Sequence, residues 1–263
     1  MPEVDNPVQK TLATRAALRH SDLHCHVLPG LDDGPRDMEG ALRLARAARD
    51  SGAARVFATP HIMPGVFSAS PDEIRAKVRL LRQRLVEEDV DLEVLEGSEV
   101  AVSERLVGDF RAGMLLPLQG SRFILVELPS VSLPRYAMDM IFKLKVLGAG
   151  VILAHPERNN DVRRDRAILT EMVETGVYLQ VNAGSLIGVY GGEVASFARR
   201  LIKEGLAHFV GSDAHSGDSP DLRDLGPDIR PALMRAFRTV RERERFVRQA
   251  EERVEELVSG RLR

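Results

Sequence analysis

The chain contains 263 residues, of which 44% are hydrophobic and 29% are charged. This length allows one large domain or two small ones, and a chain of this length and composition can bury enough apolar surface to need neither disorder nor disulfide bonds. Lys and Arg total 37 and Asp and Glu total 39, a balance that argues against nucleic acid or an anionic membrane as the main partner.

Cellular location is indicated by what the sequence lacks. The single cysteine, Cys25, cannot form an internal disulfide, which is typical of a reducing compartment. No apolar segment reaches the ~18 residues of a membrane span, and residues 1–20 lack the apolar core of a signal peptide. The sequence therefore predicts a cytoplasmic protein with no membrane span.

Short apolar segments alternate with helical patterns along the chain, as in buried parallel strands joined by helices. The seven predicted strands are residues 21–28, 54–60, 91–97, 122–128, 150–156, 177–182 and 207–213. The predicted helices are residues 38–51, 70–88, 103–112, 135–147, 163–175, 193–204 and about 231–257. The Arg and Glu residues of the last helix are interpreted as a solvated face with intrahelical ion pairs.

Such a parallel sheet can have two arrangements: a doubly wound open sheet or a closed barrel. An open sheet concentrates its site at one switch point, whereas nearly every predicted strand here ends in a histidine or an acid. This favours an α/β barrel with its site at the C-terminal ends of the strands. Residues 1–20 are then an N-terminal extension, and residues 21–263 form a single domain that ends in a charged helix.

The residues at the strand ends indicate metal binding. His24 and His26 lie on the same side of a strand, because strand side chains alternate with a period of two, and both imidazoles can reach one ion. Asp213 and His215 have the same spacing. Imidazoles mixed with carboxylates are typical of Mn, Fe or Zn sites rather than of thiolate-bound structural zinc. Nine candidates, counting Asp33, which is implied only by the resemblance described below, exceed what one ion needs and predict two or three ions: His24, His26, Asp33, His61, Glu99, Glu127, His155, Asp213 and His215.

The remaining histidines and the cysteine have simpler interpretations. His20 precedes the first predicted strand and is expected at the surface, and His208 lies inside a strand as a hydrogen-bonded core residue. Cys25, between two candidate ligands, is expected to point away from them as a small buried side chain.

The ordered set of motifs resembles the polymerase-and-histidinol-phosphatase (PHP) superfamily. The motifs are His24-Cys25-His26, Thr59-Pro60-His61, Gly97-Ser98-Glu99, Ala154-His155-Pro156-Glu157-Arg158 and Ser212-Asp213-Ala214-His215. Residues 21–34, SDLHCHVLPGLDDG, look like the opening of its bacterial manganese-dependent protein-tyrosine phosphatases of the CpsB/CapC/YwqE type, found in capsular and exopolysaccharide gene clusters. The resemblance spans roughly residues 21–216.

The resemblance implies a distorted (β/α)7 TIM-like barrel that holds two or three Mn²⁺ ions, with Fe or Zn as alternatives. The nine candidates above become the ligands, with Glu127 as the bridging carboxylate. Arg158 is then the residue that binds the substrate phosphate, and Asp33 and His215 join it as catalytic residues. The implied substrate is a phosphotyrosine protein, the tail of a bacterial tyrosine kinase that controls polysaccharide export. One departure concerns substrate binding: no arginine follows His215 before Arg223, where the family has one within a few residues.

Other functions fit the sequence less well. A thiolate phosphatase needs an arginine six positions after its cysteine, but the residue there is Leu31. Within the superfamily the alternative is a phosphoesterase such as a histidinol phosphatase, and an exonuclease is disfavoured by the balanced charge. From a different class, a non-catalytic metal-binding regulator is the remaining alternative.

Overall fold

The structure is a computed structural model, and it describes residues 19–217 and 226–262. Its strands are β1 (His20–Cys25), β2 (Ala53–Ala58), β3 (His61–Met63), β4 (Phe67–Ser68), β5 (Glu93–Glu96), β6 (Glu99–Ala101), β7 (Phe123–Glu127), β8 (Gly150–Ala154), β9 (Tyr178–Asn182) and β10 (Phe209–Gly211). Its helices are α1 (Met38–Asp50), α2 (Pro71–Glu87), α3 (Leu106–Arg111), α4 (Ala137–Val146), α5 (Asn160–Arg164), α6 (Ala167–Glu174), α7 (Ala183–Ile187), α8 (Gly192–Lys203), α9 (Arg230–Ala236) and α10 (Val240–Val258), with a 3₁₀ turn at Pro156–Arg158.

The strands form two sheets. One has three parallel strands in the order β1-β2-β5, and the other has seven in the order β10-β9-β8-β7-β6-β3-β4. All pairs are parallel except β3 with β4. An α/β fold with parallel strands was predicted and is confirmed.

Among the described residues, the hydrogen bonds between strands do not close a single barrel. The predicted strand 54–60 is interrupted before His61, where Pro60 has no N–H to donate to a ladder. The predicted strand 91–97 is interrupted at Gly97, packed so closely that a Cβ there would lie 2.6 Å from Leu118 Cδ2. Both predicted strands therefore continue as separate strands, β3 and β6, in the second sheet.

Two predicted helices are also divided. The predicted helix 163–175 is broken at Asp165, whose backbone is extended, so that α5 and α6 are separate. The C-terminal helix is broken at the extended Phe237, and a capping box formed by Thr239 and Glu242 begins α10. No helix among the described residues is both long and apolar enough to cross a membrane.

The Arg and Glu residues of α10 do not form the predicted intrahelical pairs: in residues 240–258, all described, no ion pair joins two α10 side chains. Instead, the carboxylate of Glu251 accepts hydrogen bonds from the backbone N–H and hydroxyl of Ser21. Glu255 lies 2.9 Å from Arg55 of β2. These contacts fix α10 against the first sheet.

The core beneath the strand ends is closed by α10. Leu23, Phe57 and Phe123 point into the space between the strands and are almost fully buried. Val254 and Leu257 of α10 belong to the same apolar cluster. Each such side chain contributes about 1.5–3 kcal/mol by leaving water. The helix thus covers one end of the strands and leaves the other end, where the strands finish, for the polar residues.

Candidate metal centre

Four side chains from distant parts of the chain meet at the end of β1. The Nε2 atoms of His24 and His26 lie 3.1 Å apart. Asp213 Oδ1 is 3.3 Å from each of them, and Glu99 Oε2 is 3.2 Å and 3.4 Å away. All four side chains are buried. We call these residues the inner group.

A second group shares Glu99 with the inner group. His61 Nδ1 lies 3.0 Å from Glu99 Oε2 and 3.2 Å from Glu127 Oε1. The resemblance assigned the bridging position to Glu127, whereas in the structure Glu99 is common to two groups and Glu127 belongs to one. The geometry therefore favours Glu99 as the shared carboxylate.

An outer group lies toward the surface. It comprises His26, Asp33, His61 and His215. Asp33 Oδ1 is 3.3 Å from His215 Nε2 and 3.7 Å from His61 Nε2. The ring of His215 stacks on that of His26 with centroids 3.9 Å apart. His26 and His61 link the outer group to the other two.

The donor atoms of these groups fit divalent cations. His61 Nδ1, Glu99 Oε2 and Glu127 Oε1 are buried yet have no partner with hydrogen-bond geometry. Leaving such an atom unsatisfied costs about 1–3 kcal/mol. Each of these atoms lies within 3.2 Å of another candidate ligand atom, but none has the geometry of a hydrogen bond. They therefore point toward a common position that a cation could occupy. Nitrogen and carboxylate oxygen ligands without sulfur suit Mn, Fe or Zn.

Hydrogen bonds hold the inner imidazoles in place. His24 Nδ1 lies 2.9 Å from Gln180 Oε1, and His26 Nδ1 lies 2.7 Å from Asp32 Oδ2. Acceptors at both Nδ1 atoms place the protons there and leave the Nε2 lone pairs facing the inner group. Sequence reasoning missed Gln180 and Asp32. Asp32 had a signal, since it lies next to Asp33 in the DDG motif, but Gln180 stands in an apolar strand with none.

The backbone is unusual where Asp213 and His155 leave their strands. Both have positive φ, 55° and 32° respectively, a conformation that costs a non-glycine residue of order 1–3 kcal/mol. The Asp213 N–H donates to His24 O at 2.8 Å, and the His155 N–H donates to Gln180 O at 2.7 Å. These bonds hold the turns that aim both side chains into the site.

One position in the site requires glycine because neighbouring atoms lie very close to it. A Cβ on Gly211 would lie 2.6 Å from Gln180 Nε2 and 2.9 Å from His24 Cβ. Since Gln180 and His24 are hydrogen-bonded partners in the site, glycine at this position allows β10 to pack directly against them.

Imidazoles and carboxylates of the site shift one another's pKa values. Burial lowers the pKa of His61, but the carboxylates of Glu127 and Glu99 outweigh burial and raise it to about 10. The contact with His215 lowers the pKa of Asp33 to about 2, against its partial burial. Burial raises the pKa of Glu99, yet nearby imidazoles hold it well below the usual range. Cations entering such a site replace protons on the imidazoles.

His155 and Arg158 border the groups. His155 Nε2 lies 2.8 Å from Glu99 Oε1 but belongs to none of the three groups. Arg158 Nη1 donates to Asp213 Oδ2 at 3.0 Å, and its guanidinium lies 4.7 Å from the ring centroid of Tyr190. Asn182, also missed from the sequence, donates to the same Asp213 oxygen at 2.7 Å.

A cavity of about 760 Å³ opens above the metal-ligand candidates. Its lining includes Asp33, His61, Glu127, Asp213 and His215. Three arginines also line it: Arg36, Arg43 and Arg158. Their positive charges suit an anionic substrate.

The other sequence expectations have mixed outcomes. His20 is buried as the first residue of β1, so its expected surface position is wrong. His208 is half-buried just before β10, and its Nδ1 accepts the Leu179 N–H, so the expected hydrogen bond is confirmed but the expected core position inside a strand is wrong. Cys25 is fully buried, as expected. Arg223 and residues 1–18 lie outside the described residues.

Fold and site together define an α/β protein whose parallel strands carry a candidate metal centre at their C-terminal ends. The family model for capsular polysaccharide synthesis, CpsB/CapC, matches residues 20–236. The chain belongs to this family. It is 38% identical over 195 residues to the tyrosine-protein phosphatase YwqE of Bacillus subtilis, covering 74% of this chain and 77% of that protein. It is 25% identical to the tyrosine-protein phosphatase CpsB of Streptococcus pneumoniae, covering 75% of this chain and 84% of that protein.

Solved structures give the same relationship. The crystal structures of YwqE from Bacillus subtilis and CpsB from Streptococcus pneumoniae, described as unique metal-dependent tyrosine phosphatases, include a chain with a TM-score of 0.80 at 33% identity. The match covers 91% of this chain and 95% of that chain. The histidinol phosphate phosphatase of Lactococcus lactis shares the fold, with a TM-score of 0.53, 13% identity and 89% and 94% of the two chains covered.

Proposed function

We propose that this chain is a metal-dependent phosphomonoesterase that hydrolyses phosphotyrosine in proteins. The observation that carries the proposal is the convergence of buried, unsatisfied donor atoms from Glu99, Glu127 and His61 beneath a cavity lined by arginines. The tyrosine-protein phosphatases among the relatives support the substrate class. A histidinol phosphatase is supported only by a shared fold at 13% identity.

The proposed ligands are the nine candidate residues named from the sequence, and Mn²⁺ is the proposed metal, with two or three ions. When bound, such ions supply Lewis-acid activation of water and neutralise charge on the phosphoryl oxygens. Within the chain, Gln180 and Asp32 orient the imidazoles of His24 and His26. The ligands are His24, His26, Asp33, His61, Glu99, Glu127, His155, Asp213 and His215.

Arg158 is proposed to bind the substrate phosphate. Its guanidinium is fixed by Asp213 on one side and by the Tyr190 ring on the other, while 30% of its side chain remains exposed. The free N–H groups of this planar fork can donate two parallel hydrogen bonds to phosphoryl oxygens. Charge that spreads over these oxygens in the transition state is stabilised by the same donors.

His215 and Asp33 have a second proposed role, which is to move a proton at the mouth of the site while His215 Nε2 is not bound to an ion. His215 Nδ1 donates to the backbone oxygen of Asp213 at 2.9 Å, so Nε2, 3.3 Å from Asp33 Oδ1, is the atom free to carry the proton. A phenolate leaving group, whose conjugate acid has a pKa near 10, needs only modest help.

The description of the family, capsular polysaccharide synthesis, supports a proposal for the cellular setting. We propose that the substrate is the phosphorylated tail of a bacterial tyrosine kinase that regulates capsular or exopolysaccharide synthesis, in the cytoplasm. We further propose that residues 21–263 act as one domain and that the two sheets together enclose a distorted (β/α)7 barrel. The backbone bond from Asp213 N–H to His24 O, and the bridge between Cys25 and Ala214, support a junction between β1 and the segment after β10.

Metal removal tests the proposal. We expect chelation followed by dialysis to abolish hydrolysis of a phosphotyrosine peptide, and Mn²⁺ to restore it more fully than Fe²⁺ or Zn²⁺. Elemental analysis of the restored protein is expected to give two or three ions per chain. Phosphoserine peptide and histidinol phosphate are expected to be poorer substrates by kcat/KM.

The variant Cys25→Ser is the control for a thiolate route. Cys25 is buried and no arginine stands at Leu31, so we expect this variant to keep most of the activity. Full activity of the wild-type protein in excess chelator, or loss of activity in Cys25→Ser at unchanged metal content, contradicts the proposal.

A further inference from the structure

A second concave surface lies between α8, α9 and α10, away from the candidate metal centre. It encloses about 580 Å³. We call it the basic cleft, after its charged lining residues: Arg199, Lys203, Arg235, Arg238, Glu242, Arg245 and Arg253.

The basic cleft is at the opposite end of the strands from the metal centre. Gly205 and Ala207, which line the cleft, precede β10, and Asp213 of the inner group follows it. With a rise of about 3.3 Å per residue, the two sites are roughly 20 Å apart along the strand. A ligand in the cleft therefore leaves the cavity above the metal centre free.

Positive charge in the cleft is concentrated and largely uncompensated. Six basic residues face one acid in the cleft, although acids slightly outnumber bases in the whole chain. The one acid, Glu242, is engaged by the N-terminus of α10, because its carboxylate accepts the Thr239 N–H at 3.1 Å. Within residues 19–217 and 226–262, neither Arg238 nor Arg245 is in an ion pair.

Two faces of α10 make different contacts. Arg245, Gln249 and Arg253 are four residues apart, so they lie on one face and point into the cleft. Glu251 and Glu255 lie on another face and contact Ser21 and Arg55. Two acids of this helix are therefore held against the first sheet, while Arg245 and Arg253 line the cleft. Next to the cleft, burial and the charge of Arg253 lower the pKa of His208 to about 4.

The cleft also has an apolar floor. Ile202, Ala207 and Ala236 line it together with Phe237 and Phe246, whose rings pack 5.1 Å apart. We propose that the basic cleft is a docking site for an acidic segment of a partner protein that carries apolar or aromatic side chains between its carboxylates.

Shape and chemistry favour this occupant. A concave cleft with an apolar floor and a charged rim matches an extended peptide, whereas a lipid bilayer is flat and contacts protruding basic residues. The two phenylalanine rings pack against each other, so they do not form the open stacking platforms that single-stranded nucleic acid uses. None of the lining residues belongs to the three groups of candidate metal ligands, so the cleft is suited to binding rather than to phosphoester hydrolysis.

Peptide binding to the full-length chain tests the docking site. The probe is a fluorescein-labelled peptide of repeating Glu-Glu-Tyr, and a Gln-Gln-Tyr peptide reports binding without charge. The test variant is Arg238→Glu with Arg245→Glu. The matched control is Arg241→Glu with Arg248→Glu, because these exposed residues of the same helix do not line the cleft and the charge change is equal.

By fluorescence anisotropy we expect the cleft variant to raise the Kd for the acidic peptide at least about tenfold, and the control less than about threefold. The Gln-Gln-Tyr peptide is expected to bind weakly to all three proteins. Equal losses in the two variants, or no binding of the acidic peptide by the wild-type chain, overturn the proposal.

Two further measurements distinguish an acidic peptide from a membrane or a nucleic acid as the occupant of the cleft. Stronger cleft-dependent binding to vesicles of phosphatidylserine and phosphatidylcholine, or to a single-stranded oligonucleotide, would overturn the proposal in favour of that ligand. Hydrolysis of p-nitrophenyl phosphate by Mn²⁺-loaded protein is expected to be equal in both variants. Because the peptide is unphosphorylated, its binding is independent of the proposed phosphatase activity. Failure of peptide binding and failure of phosphatase activity are therefore distinguishable.

Discussion

At the scale of single residues, His215 has two candidate roles that one atom cannot perform together. Its Nε2 can bind an ion in the outer group or carry a proton beside Asp33. We expect His215→Gln to keep the ions of the inner group. We also expect it to lose more kcat on phenyl phosphate than on p-nitrophenyl phosphate, because the poorer leaving group depends more on protonation. Equal losses on both substrates, with fewer ions by elemental analysis, assign His215 to metal binding.

Arg158 is the residue on which phosphate affinity should depend. Lysine keeps the charge but not the planar fork, so we expect Arg158→Lys to lower kcat/KM on a phosphotyrosine peptide by about tenfold to a hundredfold. Metal content should be unchanged, because the inner imidazoles are held by Gln180 and Asp32. Arg111→Lys, at an exposed position at the end of α3, is the control. Unchanged kinetics for Arg158→Lys would exclude it as the phosphate-binding residue.

Residue-scale prediction succeeded where a motif supplied chemistry. His24, His26 and His61 could be chosen because their positions at predicted strand ends gave them a function. Gln180 and Asn182 could not, because they act by hydrogen-bonding other site residues, and that contact depends on β9 pairing with β10, which lies next to β1. His20 was misplaced because its burial depends on packing of the whole chain rather than on the first strand's own sequence.

At the scale of elements, α10 stabilises the fold although it lies outside the matched range of the family model, residues 20–236. Leu257 is fully buried in the cluster beneath the strands. We expect Leu257→Ala to lower the free energy of unfolding by about 2–5 kcal/mol, through lost burial and the cavity left behind. Urea unfolding monitored by circular dichroism measures this loss.

The matched control for α10 is Leu80→Ala, since Leu80 of α2 is 46% exposed. We expect it to change the free energy of unfolding by no more than about 0.5 kcal/mol. A similar small change for Leu257→Ala would show that α10 is not part of the cooperative core.

The elements themselves were largely predictable, and their interruptions were not. Every predicted strand overlaps an observed one, because short apolar segments between helical patterns are strong signals. The breaks at Gly97 and Asp165 depend on local packing and backbone geometry that no periodicity records. The closed barrel was inferred from site chemistry, which places strand ends together but does not determine whether every strand pairs with its neighbour.

At the scale of the whole molecule, the two ends of the parallel strands have different roles: one end carries the candidate metal ligands, and the other is closed by the apolar core. Histidines and acids collect at the C-terminal ends, where strand termini from seven parts of the sequence meet. Apolar side chains and α10 close the other end, and the basic cleft adjoins it. The sequence predicted the first of these from motifs. The cleft was not predicted, because its bases are spread over three helices and the turn before α10, and the overall charge is balanced.

Acid sensitivity of the whole fold should depend partly on His208. Its pKa is lowered to about 4 by burial and by Arg253, and its Nδ1 accepts the Leu179 N–H. Between the unfolded pKa near 6.5 and the folded value, the unfolded chain binds more protons, so stability falls as the pH falls. His208→Asn keeps an acceptor for Leu179 but does not titrate. After allowance for partial exposure, we expect it to retain about 1–2 kcal/mol more of its neutral-pH stability than wild type at about pH 5. Urea unfolding near pH 7.5 and near pH 5 measures this difference. If both proteins lose the same free energy of unfolding between the two pH values, His208 is not the cause of the acid sensitivity.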